Sequence, residues 1–109
     1  MKISKEEIFG PVLSVAKFSS VDEVIQRANN THYGLGAGII SKDMDNVIKI
    51  SNGIRAGTVF VNCYYAFDPA APFGGFKDSG IGRECGEAGL KSYLEGKTVI
   101  IKRPDDSLP

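Results

Sequence analysis

Glu7-Ile8-Phe9-Gly10-Pro11 sets a carboxylate two residues from an aromatic ring and closes the stretch with Gly-Pro. An ionised carboxylate accepts hydrogen bonds from both hydroxyls of a vicinal diol, and an aromatic ring offers a flat apolar face. Together they suit a sugar diol beside a flat heterocycle. The stretch lies almost at the start of the sequence, so such a clamp needs completing residues from outside this chain. Read alone, Lys5-Glu6-Glu7 is more simply a solvated charge cluster. A second group comprises Tyr64, Tyr65, Phe67, Phe73 and Phe76, crowded between turn residues. Core aromatics usually sit on periodic elements, so these rings either line an apolar pocket or are core side chains displaced into a loop.

The remaining chemistry-bearing residues carry less. His32 is the only histidine, so no catalytic triad or metal cluster can be built around it. Cys63 follows an apolar run, where ligands collect in open α/β sheets, yet no partner base can be named for it and a structural role is the simpler reading. Cys63 and Cys85 together make neither a disulfide framework nor a zinc site. Gly80-Ile81-Gly82-Arg83-Glu84-Cys85-Gly86 superficially matches a dinucleotide fingerprint, but the required preceding strand is missing. Those glycines read better as a tight approach into a helix.

The elements that must position these residues follow from periodicity and caps. Val12 to Phe18 reads as a strand. Ser20 and Glu23 form a capping box that opens a helix with Val21, Val24, Ile25 and Ala28 on one face, ending near Asn29-Asn30. Gly34-Leu35-Gly36 turns the chain into a fully apolar strand, Ala37 to Ile40, as expected when both faces are covered. Ser41 is the expected cap of a second helix, with Asp43 and Asp45 in its first turn, Met44, Val47 and Ile48 as its buried stripe, and Gly53 as its stop. Thr58 to Asn62 is the next strand, and the roughly 20-residue spacing points to a parallel sheet with helical crossovers. A long loop from Cys63 to Gly82 precedes a third helix, Glu84 to Leu94, expected to bury Ala88, Leu90, Tyr93 and Leu94. A last strand, Lys97 to Lys102, leads into a frayed tail, Pro104 to Pro109.

Bulk properties set the frame. The chain has 109 residues, one domain at most, with 13 basic and 13 acidic side chains. That balance gives no footprint for nucleic acid or an anionic membrane. No apolar run approaches a membrane span and the N-terminus does not read as a signal peptide. Two thiols without a framework suit a reducing compartment, cytoplasm or mitochondrial matrix.

Four stretches carry a family resemblance: Glu6 to Val12, Ala28 to Leu35, Ala56 to Cys63, and Pro72 to Glu84 with its Pro-Phe-Gly-Gly-Phe-Lys opening. In order and almost throughout, the chain resembles the C-terminal part of the NAD(P)-dependent aldehyde dehydrogenases, of the tetrameric class 1/class 2 type. The resemblance implies a partial parallel open α/β sheet, with residues 1–94 forming the C-terminal half of a catalytic domain and 95–109 an oligomerisation strand and tail. It implies Glu7 on the ribose next to the nicotinamide of NAD or NADP, Phe9 near the ring, and Tyr65, Phe67 and Phe73 along a tunnel for an aldehyde substrate. It also implies Glu84 as a candidate proton relay, Arg83 and Glu95 near a subunit interface, and Thr98 to Lys102 as a strand joining a neighbouring subunit of a homo-oligomer. The family's nucleophilic cysteine segment and general-base segment are absent from these residues. The expectation is therefore a C-terminal fragment, inactive alone, with an incomplete cofactor site; the alternative is a non-catalytic module that pairs with full-length subunits.

Overall fold

The computed structural model describes residues 1–104; the tail expected over 105–109 lies outside the described residues. Helix α1 (Val21–Asn29) begins at Ser20, whose Oγ accepts from Glu23 N at 3.2 Å. The reciprocal bond of the capping box is displaced by one residue: Glu23 Oε2 accepts from Ser19 N at 2.7 Å. The Ser19 amide, the Arg27 guanidinium and the Ser20 amide hold the Glu23 carboxyl below the usual carboxylate range. Arg27 Nη1 also donates to Lys17 O at 2.6 Å, fastening the incoming chain to the helix.

Strand β1 (Gly36–Ile39) and strand β2 (Thr58–Val61) pair in parallel, Gly36 opposite Thr58 and Ile39 opposite Val61. Helix α2 (Met44–Gly53) connects them, as the spacing predicts. Its cap is Asp43, not Ser41: the Asp43 carboxylate accepts from Asp45 N and Asn46 N at 3.0 and 3.2 Å. Ser41 sits one step outside, its Oγ accepting from Asp43 N, and Asn62 holds it there. Asn62 Oδ1 accepts from Ser41 N and Nδ2 donates to Ser41 O, both at 2.9 Å, so a side chain extends the pairing past the end of β2. α1 packs on α2 closely enough that a Cβ on Gly53 would lie 2.9 Å from Ile25 Cγ2.

Three expectations are corrected. Within this chain Val12 to Phe18 and Lys97 to Lys102 form no strand, because a strand exists only against a partner and none of the described residues of the same chain pairs with either segment. The third helix shrinks to α3 (Gly86–Leu90) followed by a 3-10 turn, Lys91–Tyr93. Glu84 is already committed to an antiparallel bridge with Phe73, Cys85 adopts a left-handed φ of 61°, and Gly86 and Gly89 lower the helix propensity of the remaining segment. Burial is the third: Met44, Ile48, Leu90, Tyr93 and Leu94 are exposed, as are Ala28 and Ile40. Among the described residues the buried apolar side chains are Ile39 (6% exposed) and Val47 (5%), so β1 is not covered on both faces.

Candidate functional site

The aromatic loop folds back on β2. Phe67 is its centre, meeting Phe73 edge-on at 5.4 Å between centroids, Phe60 edge-on at 5.6 Å and Tyr65 at 6.2 Å. Edge-to-face pairs at these separations are the favoured arrangement of aromatic quadrupoles. Tyr64 joins from the far side of Phe60, 6.1 Å away, and its phenol lies over Gly38 of β1 where a Cβ would overlap it. Tyr65, Phe67 and Phe73, expected as tunnel residues, are thus brought together. Phe60 belongs with them but reads as core in the sequence, since a strand phenylalanine carries no signal of its own.

Beside Phe67 and Phe73 opens an apolar hollow of about 460 Å³ floored by Pro69, Pro72 and Cys85. Tyr65 and Cys85 both hold left-handed backbone, φ 57° and 61°. Such conformations are strained for residues with a Cβ, and they bend the loop so that the rings meet. Gly86 follows at φ 57°, and a Cβ there would press on Ala70 O, so only glycine lets α3 approach the loop.

Glu7 and Phe9 take up a different position. Turns closed by Gly10 N to Ile8 O and by Val12 N to Gly10 O, both 2.7 Å, hold the Gly-Pro segment. Phe9 is 98% exposed and Glu7 is exposed, and no ring or cation among the described residues pairs with either. Glu7 lines a cleft shared with Thr31, Tyr33, Arg55 and Ser79, away from the aromatic cluster. Phe9 does not line that cleft, so the carboxylate and the ring are both open to solvent but are not brought onto one surface by this chain.

Glu84 reaches the cluster through its backbone: Phe73 N donates to Glu84 O at 2.8 Å and Glu84 N to Phe73 O at 2.7 Å. Arg83 turns inward, donating to Gly75 O at 2.9 Å and Gly82 O at 2.6 Å with its guanidinium 5.2 Å from the Phe76 ring centre. Glu95, Cys63 and His32 are exposed, the His32 ring tilted at 42° to that of Tyr33 with centroids 4.0 Å apart. The glycines at 80 and 82 hold positive φ before a short helix and follow a 3-10 turn, Lys77–Ser79, in place of a strand. Among the described residues no group of histidine, cysteine and carboxylate side chains could hold a metal ion, and no helix is long and apolar enough to cross a membrane.

The sequence profile described as the Aldehyde dehydrogenase family matches residues 1–99. An aldehyde dehydrogenase 1A1 of Gallus gallus is 59% identical over 104 residues, covering 95% of this chain and 20% of its own length. A cytosolic aldehyde dehydrogenase 2 of Macroscelides proboscideus is 60% identical over 102 residues, 94% of this chain and 42% of its own. Among solved structures, an indole-3-acetaldehyde dehydrogenase of P. syringae in complex with NAD+ and IAA superposes with a TM-score of 0.89 at 46% identity, over 94% of this chain and 21% of that one. An aldehyde dehydrogenase of Bacillus cereus in complex with NAD+ gives 0.80 at 52% identity, over 84% and 18%. The chain therefore spans about a fifth of the length of the Gallus gallus, P. syringae and Bacillus cereus proteins.

Proposed function

The chain belongs to the aldehyde dehydrogenase family, and we propose that it supplies the substrate-wall and nicotinamide-ribose segments of an enzyme that oxidises an aldehyde to a carboxylic acid with NAD(P). The observation that carries this reading is the convergence of Tyr65 and Phe73 on Phe67 beside an apolar hollow. Phe67 and Phe73 offer the hollow an apolar wall for an aldehyde's hydrocarbon part, with Tyr65 against Phe67 at its side. NAD(P), when bound, supplies the hydride acceptor. Glu7 accepts hydrogen bonds from the two ribose hydroxyls, and Phe9 presents an apolar face beside them. Their exposure without internal partners supports this role, since a carboxylate already paired within the chain would lose that bond to bind.

No nucleophilic step is assigned to this chain's thiols. Cys63 and Cys85 are exposed, and neither makes a hydrogen bond to a base among the described residues. The exposed apolar run Val99-Ile100-Ile101 supports a strand that pairs with a neighbouring subunit. The purified 109 residues are expected to oxidise no aldehyde with NAD+.

The positive test replaces the matching stretch of the Gallus gallus aldehyde dehydrogenase 1A1 with residues 1–104 and measures NAD+-dependent oxidation. Activity is expected, and Glu7→Gln is expected to raise the KM for NAD+ about tenfold, the scale of one hydrogen bond to a charged group. A graft that folds yet turns over nothing, or an E7Q variant with unchanged cofactor kinetics, would sink the reading.

A further inference from the structure

Three segments meet where α1 ends. Asn29, its last residue, donates Nδ2 to Gly53 O at 2.7 Å and accepts Arg55 N on Oδ1 at 2.8 Å, closing the C-terminus of α2 with a side chain from α1. The Asn29 carbonyl and the Thr31 carbonyl each accept Lys77 Nζ at 2.9 Å. The Asn29 side chain thus ties the end of α2 to the end of α1, and the Lys77 ammonium meets the two carbonyls where α1 ends in a partial negative charge.

Lys77 reaches this junction with a φ of 54°, a left-handed conformation that residues with a Cβ rarely adopt. Its neighbours are bonded to the turn after α1: Phe76 N to Gly34 O at 2.8 Å, Asp78 N to His32 O at 3.0 Å, and Gly34 N to Ser79 Oγ at 2.8 Å. Toward Phe73 the chain has no slack despite two glycines. Gly74 O is wedged against Gly57, where a Cβ would overlap it, and Phe73 exchanges both backbone bonds with Glu84. From the ammonium to the Phe73 ring the path is bonded or wedged along its length.

We propose that Lys77 is a positioning residue for the aromatic wall: its ammonium, bonded to the carbonyls where α1 ends, fixes the 73–79 segment and with it the Phe73 ring against Phe67. This rests on reading that cluster as the substrate wall. Glu7 shares a cleft with Thr31 and Ser79 but makes no hydrogen bond to the 73–79 segment among the described residues, and the bonded path from Lys77 leads to Phe73, so the effect falls chiefly on the aldehyde.

Two measurements test it. In the graft, Lys77→Met keeps the aliphatic stem and removes the charge. It is expected to raise the aldehyde KM about tenfold with the KM for NAD+ within about twofold, and Lys77→Arg is expected to restore the aldehyde KM. A general loss of structure would move both KM values or neither. In the full 109-residue chain, hydrogen exchange at Phe73, Phe76, Asp78 and Glu84 is expected to quicken about tenfold in K77M and to stay unchanged in K77R. If K77M leaves the aldehyde KM unchanged in an active graft, or leaves exchange at these amides unchanged, Lys77 does not position the wall. An inactive wild-type graft defeats the functional reading, while the exchange result still decides the role of Lys77.

Discussion

Glu23 shows how one side chain joins local structure to solution conditions. Its carboxylate accepts from the Ser19 amide at 2.7 Å and from Arg27 Nη1 at 3.0 Å, and these contacts favour the ionised form. A carboxyl held below its ordinary value contributes stability above the unfolded-state value and loses it as pH falls through the folded one. The start of α1 should therefore loosen on acidification below the ordinary carboxylate range, with faster exchange at Ser19, Glu23 and Val24. Glu23→Gln should remove that acid dependence while leaving the Ser20 cap. Acid sensitivity persisting in E23Q would assign it to another group. The 3.0 Å pair with Arg27 adds little by itself, since both partners are well exposed.

At the scale of elements, α2 depends on its cap. Asp43→Ala removes the acceptor of two helix amides and of Asn46 Nδ2, and is expected to weaken the helix by about 1 kcal/mol, read as faster exchange over its first turn. Ser41→Ala should cost less, because the Ser41 hydroxyl accepts from Asp43 N and from no amide within α2. An equal loss in the two variants would return the cap to Ser41. α1, β1, α2 and β2 were legible because caps and short apolar periods are local; the cap of α2 moved from Ser41 to Asp43, and the expected burial of Ala28, Ile40, Met44 and Ile48 failed because no further element covers them among the described residues. Val12 to Phe18 and Lys97 to Lys102 carry genuine strand patterns, but pairing is a property of two segments and cannot be read from one. The third helix was cut by the left-handed Cys85, a conformation that residue type does not announce. The site divides the same way. Tyr65, Phe67 and Phe73 were legible as neighbours within one loop. The Lys77–Asn29 contact spans 48 residues and has no motif to betray it.

The whole molecule is far from closed on itself. Its radius of gyration is 21.0 Å, against about 13 Å for a compact chain of this length. Its accessible surface is 9486 Å², whereas a folded monomer of 11.7 kDa exposes roughly 5,900 Å². The excess is substantially apolar: Leu13 and Val15 near one end and Ile100 and Ile101 near the other are more than four-fifths exposed. A parallel pair of four-residue strands with both outer edges open is too small to be stable in water by itself. Basic and acidic residues balance at 13 each, so no net charge keeps copies apart. The purified chain is therefore expected to sediment above 11.7 kDa at tens of micromolar, in a concentration-dependent manner, and to melt without a single cooperative transition. Placing charge on the open apolar runs, as Leu13→Lys with Ile100→Lys, should lower the sedimenting mass. These two residues make no hydrogen bond among the described residues and lie outside both the aromatic cluster and the Lys77 junction, so the double variant should leave exchange at Phe73 and Phe76 unchanged. A monomer that unfolds cooperatively would show instead that the few buried contacts around Ile39 and Val47 suffice, and that the open runs are tolerated surface.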